Sequence, residues 1–272
     1  MGIYMNIYNG VVTAGAKDGN LVSSGENTNP ILVTSVNSVL SAAAEIGATI
    51  ITIANTKDFS VGQTIFLDSQ ANQEVRKINE VGETTLTLDT ALEFNHAKDT
   101  PVIWTLDNAT NQISTPQKLA IRCIDSKITS AATVIMPLCG TITAAAEAGV
   151  TTLQVSSTLG FIVGGKFKIG NEVVTLTAVT ENSVTFTPAL TAAVTKDAVI
   201  TVANADKWAF ALDNGGVPGA FGDWGKAITL PAGIGDTNKI FWVKACTTQD
   251  EAAGADNNVK LITSCASIIT AS

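Results

Sequence analysis

Thiol, imidazole or zinc chemistry in this 272-residue chain would have to start from four cysteines, Cys123, Cys139, Cys246 and Cys265, and one histidine, His96. Zinc sites usually draw at least two ligands from close in sequence, but here no CxxC pair exists and His96 is remote from every cysteine. Cys123 lies in Leu119-Ala-Ile-Arg-Cys-Ile124, where alternation places it on one face with Leu119 and Ile121. It is expected to be a small, buried, unbridged thiol. A disulfide would need an oxidising compartment, and Met1–Gly10 lacks the basic and apolar segments of a secretory leader. His96 falls in Leu92-Glu-Phe-Asn-His-Ala-Lys-Asp99, a polar stretch with no nucleophile motif such as GxSxG nearby. A solvated loop histidine is expected there.

Three further patterns mimic sites. Gly160-Phe-Ile-Val-Gly-Gly-Lys-Phe167 nearly spells a phosphate-binding loop, but Phe167 stands where a hydroxyl must hold magnesium. The residues after it alternate as a strand instead of opening a helix whose N-terminus could bind phosphate. Asp250, Glu251 and Asp256–Asn258 are acidic and amide groups without the spacing of a calcium loop, so a solvated acidic loop is expected. Asn108-Ala-Thr110 matches a glycosylation sequon, which carries weight only in a secreted chain. No catalytic residue, cofactor or metal site is therefore assigned.

Composition narrows the partners. Charged residues make up 15% of the chain and the net charge is −8, with only two arginines, Arg76 and Arg122. A nucleic-acid partner would require a basic face. No apolar run reaches the roughly 18–20 residues that span a bilayer as a helix, so no membrane partner is expected.

The elements that would position any site are organised by a repeat. Ser41-Ala-Ala-Ala-Glu45 returns as Thr143-Ala-Ala-Ala-Glu147, and Phe59-Ser-Val-Gly62 returns as Phe161-Ile-Val-Gly164. Glu74-Val75, Ala91-Leu92 and Lys98-Asp99 return as Glu172-Val173, Ala189-Leu190 and Lys196-Asp197. Across 59 aligned positions (41–68 and 73–103) there are 19 identities, which marks a duplicated module. Each copy reads as β, through Ile50–Ile53, Thr64–Leu67 and Thr85–Leu88 in the first and Leu153–Val155, Lys166–Ile169 and Ser183–Phe186 in the second. The alanine-rich segments could start a helical turn that Gly47 and Gly149 would end.

Outside the modules, strands are expected at Ile3–Tyr8, Leu119–Ile124, Val134–Leu138, Lys207–Leu212, Ile240–Cys246 and Val259–Ile269. Trp208, Phe210 and Leu212 should share one face. Ile240–Cys246 is bulky on both faces, as in a central or partner-covered strand. Such short strands with Gly, Pro and Asn turns suit a β-sandwich assembled from 1–40, 105–140 and 204–272, with the modules 41–104 and 141–203 inserted in its loops. Three tandem independent domains is the alternative, disfavoured because 1–40 and 105–140 are too short to make cores. The turn-rich stretch Asp213–Gly225 carries Phe221 and Trp224 among glycines. These two are the candidate interaction residues, for a protein partner or a glycan; otherwise they fold back as a cap.

The module pattern in Ala148-Gly-Val-Thr-Thr-Leu-Gln-Val155, Gly160–Gly164 and Ile169-Gly-Asn-Glu-Val-Val-Thr-Leu176 resembles short β-modules of bacteriophage structural proteins. Gly10–Thr13, Gly19–Gly25 and Asn238–Ala245 are similar to immunoglobulin-like virion proteins. The resemblance implies an all-β fold, with an immunoglobulin-like sandwich carrying two homologous barrel or sandwich modules. It implies capsid decoration or a tail role without catalysis, phage capsid or tail proteins as partners, a homo-oligomer and residence in the virion. Decoration is favoured over a tail subunit, which would often bring a substantial helix. Both termini are expected near the assembly contact. A carbohydrate-binding or adhesive protein is the second class, with exposed coplanar aromatics as its signature; a hydrolase would need convergent carboxylates that the sequence does not locate.

Overall fold

The computed structural model describes residues 5–22, 37–68, 70–106, 111–123, 133–231, 233–248, 260–263 and 268–270. The acidic segment 250–258, the sequon at 108–110, Cys265 and both termini lie outside these residues. The chain is all-β: the described residues form antiparallel strands and two short 3-10 turns, Gln70–Asn72 and Ala205–Lys207. It divides into two compact units, one of 1–31, 117–243 and 254–272 and one of 32–116 and 244–253.

The second repeat is a closed barrel within the first unit. Its strands run in the spatial order 139–141, 199–202, 166–169, 172–179, 183–187, 152–154. The ends meet where Ile142 bridges Val155, with Thr143 N–H bonded to Gln154 O at 2.9 Å and Ser156 N–H to Thr141 O at 2.8 Å. Closure leaves no free sheet edge. Alternation fills the barrel with Leu153, Phe167, Ile169, Val174, Leu176, Val184, Phe186 and Ile200. The first repeat, in the other unit, pairs its strands in the same order: 37–39 with 101–106, then 64–67, 74–81, 85–88 and 50–52. It closes the same way, through Leu40 and Ile53.

Agreement between the repeats extends to irregularities. A bulge between Ile78 and Glu80 matches one between Leu176 and Ala178. Phe59 and Phe161 are each 6% exposed, at equivalent places in the two cores. Gly62 and Gly164 take φ of 86° and 85°, the left-handed conformation their turns demand. Each donates its N–H to the neighbouring strand, at Ile78 O and at Leu176 O. In the near-phosphate-loop segment, this turn leads straight into the strand Lys166–Ile169, and Phe167 is core. The alanine-rich pieces make no helical turn; Ala44 and Ala146 instead bridge His96 and Val194. In the second copy a Cβ on Gly140 would lie 3.1 Å from both the Phe161 ring and the Ser157 carbonyl. The ring can yield but the carbonyl cannot. Gly140→Val should therefore cost about 1–3 kcal/mol, read by chemical denaturation; an unchanged midpoint would refute this packing.

The rest of the first unit is a β-sandwich. One sheet pairs 20–21, Met5–Asn9, Gln117–Cys123 and the first half of Lys239–Thr248, followed by the hairpin 208–214 and 217–221. The other orders 228–230, 133–137, 260–263 and 268–270. Strands from three separated stretches of sequence thus pair with one another. Met5, Ile7, Leu119, Ile121, Cys123, Phe210, Phe241 and Val243 meet Leu230 and Leu261 in one core. The Lys239–Val243 segment is central, as its two apolar faces require. Leu212 departs from expectation. A bulge between Ala211 and Asp213 breaks the alternation, so Leu212 is 38% exposed while Trp208 and Phe210 pack inward. In the other unit, 101–106 also pairs with Asn111–Ile113, which pairs with Cys246–Thr248.

Candidate functional site

The aromatic stretch is more ordered than its glycines suggest. Asn214-Gly-Gly-Val217 is a tight turn, with Gly216 N–H donating to Asp213 Oδ2 at 3.1 Å, and Val217–Phe221 is a strand. The following loop is clamped to the neighbouring strand by Gly222 N–H to Phe210 O (3.0 Å) and Gly225 N–H to Trp208 O (2.7 Å). Phe221 and Trp224 are both half-buried. Trp224→Ala should lower sandwich stability by about 1–2 kcal/mol, measured by denaturation. Loss of partner attachment without any loss of stability would make the ring purely a contact residue.

His96 is the main correction to the sequence reading. It is no solvated loop residue: its side chain is fully buried. The antiparallel bridge to Ala44 draws it into the wall of the first barrel, where Nε2 lies 2.7 Å from Glu74 Oε1 and Nδ1 lies 3.1 Å from Asp68 Oδ2. Glu74 is buried too, accepting from Glu93 N–H (2.8 Å) and Phe94 N–H (2.9 Å) and pairing with the Arg76 guanidinium. Arg76 also donates to Val75 O and Ala91 O and lies 3.5 Å from Glu93 Oε1. Burial is the largest single influence on Glu74 and opposes its ionisation. Glu93 N–H, His96, Phe94 N–H and Arg76 together outweigh it, holding the carboxyl below its ordinary value of 4.5. Both ring nitrogens of His96 are committed to carboxylates inside a closed wall, an arrangement suited to holding structure and poorly suited to relaying a proton to a substrate.

The second barrel shows which part of this cluster is architectural. Glu172, the counterpart of Glu74, accepts from Thr191 N–H (2.8 Å) and Ala192 N–H (3.1 Å), which hold its carboxyl below the ordinary range. A glutamate clamping the loop is thus common to both copies. Val174 and Val194 stand where the first barrel has Arg76 and His96. The signal was present in the aligned repeat, as charged residues facing valines at otherwise apolar positions.

In the sandwich, Arg122 lies 3.5 Å above the Tyr8 ring and donates to Asp18 O (2.7 Å) and Asn238 Oδ1 (2.6 Å). Asp18 is held below its ordinary value chiefly by Thr13 N–H, so this group fastens the loop after the first strand. An open cleft of about 500 Å³ nearby is lined by Ala14, Gly15, Asp213, Asn238 and Lys239 among others. Its Asp213 accepts from Trp242 Nε1 at 2.8 Å and its Asn238 from Arg122, so both already serve the fold. Cys123 is 3% exposed and its thiol donates to Ile234 O at 3.0 Å, in the core with Leu119 and Ile121. Burial pushes the Cys139 thiol up, away from the reactive thiolate.

Among the described residues, no group of three or more His, Cys, Asp or Glu is arranged to hold a metal ion, and no helix is long and apolar enough to cross a membrane. No protein-family model matches the sequence, and no curated protein matches it.

Proposed function

We propose that this protein is a non-enzymatic structural component of a bacteriophage virion, binding and stabilising or decorating the capsid through protein–protein contacts as a homo-oligomer. The observation that carries this reading is exposed valines kept at the same two places in both diverged barrels. Val61 and Val163 are 65% and 63% exposed at the tip of the same turn, and Val75 and Val173 are 40% and 51% exposed. Burial inside either barrel cannot explain their retention, whereas contact with neighbouring subunits does. The low charge supports the reading, because weakly charged surfaces can be covered without desolvating many ions. The immunoglobulin-like character of the sandwich and the insertion of the barrels in its loops belong to the same proposal, as does the resemblance to phage modules.

A stable contact would bury about 1,200–2,000 Å² in total. The test is antibody labelling of the parent particles in negative stain, with co-sedimentation of the purified protein. Regular labelling of the shell supports decoration; labelling at the tail moves the role there. A solution monomer that never binds particles, yet retains or hydrolyses a glycan, would overturn the proposal in favour of the carbohydrate-binding or hydrolase class.

A further inference from the structure

We propose that the first barrel is an acid-opening element, built to lose its structure at a higher pH than the second. The proposal stands on one difference between otherwise matching walls. The second barrel is apolar at Val174 and Val194, while the first buries Arg76 and His96 around Glu74. The charged groups facing Glu74 come from each packed element: Arg76 on its own strand, His96 and Glu93 from the loop that returns over it, and Asp68, across the His96 ring, from the turn after Thr64–Leu67. Both nitrogens of the His96 ring face carboxylates inside the wall, those of Glu74 and Asp68. Glu74 is the buried anion held between the Arg76 guanidinium and the His96 ring. Of the other acids, Glu93 has a side chain 76% exposed and Asp68 one 26% exposed.

The sign follows from Glu74. A carboxyl held below its ordinary 4.5 in the folded chain contributes stability above that pH and loses it as pH falls through the folded value. Protonation leaves the buried Arg76 guanidinium facing a neutral acid, which the closed barrel cannot hydrate without opening. Protonating Glu172 also loosens its loop, but the groups freed there are backbone N–H groups at an exposed site beside an apolar wall.

The test is pulsed hydrogen exchange on the full-length protein after equilibration between pH 7 and 3, comparing peptides from 64–106 with those from 166–202. The first barrel should lose protection at a higher pH than the second. The variant Arg76→Val/His96→Val, carrying the second barrel's residues, should bring the two transitions together. Simultaneous opening in the unaltered protein would overturn the proposal, as would a gap that survives in the variant. If the variant does not fold, the unaltered protein decides alone, with Glu172→Gln as the control that must leave the first barrel's midpoint in place.

Discussion

Glu74→Ala is expected to destabilise the first barrel by about 3–5 kcal/mol, the usual cost of stranding a buried charge by removing its partner. The substitution leaves Arg76 and His96 buried without their shared anion and frees the N–H groups of Glu93 and Phe94. Hydrogen exchange of peptides from 64–106 under increasing denaturant measures the loss for this barrel. In the Arg76→Val/His96→Val background the same change should cost much less, because no cation is stranded. Equal losses in the two backgrounds would reduce Glu74 to a loop clamp. Glu172→Ala should be far milder, since it frees backbone groups that water can reach.

Phe241→Ala should cost the sandwich a similar amount, about 3–5 kcal/mol. Phe241 is fully buried in the central strand, its ring centroid 6.5 Å from that of Phe210 and its neighbours drawn from both sheets. Strands on both edges of Lys239–Val243 hold the backbone in place, so the cavity cannot collapse cheaply. Chemical denaturation gives the value, with Val11→Ala as control because Val11 is 82% exposed. A loss below about 1 kcal/mol would mean that the two sheets share no tight core there.

The two barrels show what could be read in advance. Strands such as Thr64–Leu67, Thr85–Leu88 and Lys166–Ile169 sit where period-two alternation places them, because a residue facing a barrel's interior must be apolar whatever its partner strand. The Gly62 and Gly164 turns were legible for an equally local reason, the cost of a left-handed backbone to any side chain. Val217–Phe221 was hidden, since Pro218 and Gly219 are poor strand formers and only pairing with 208–214 holds them extended. Cys123 was placed correctly from two neighbours on its own strand, Leu119 and Ile121.

His96 was not, and the contrast separates the two kinds of information. The local sequence determined the all-β class, the duplication, most strands and the burial of residues whose own strand declares their face. Only the tertiary structure decided where Leu92–Asp99 folds, and with it that His96 leaves water to sit between Asp68 and Glu74. Apolar burial is announced by periodicity within one segment. A buried polar cluster is announced by nothing local, because a lone polar residue reads as exposed until the partners that satisfy it, 22 and 28 residues away in sequence, are brought within hydrogen-bonding distance.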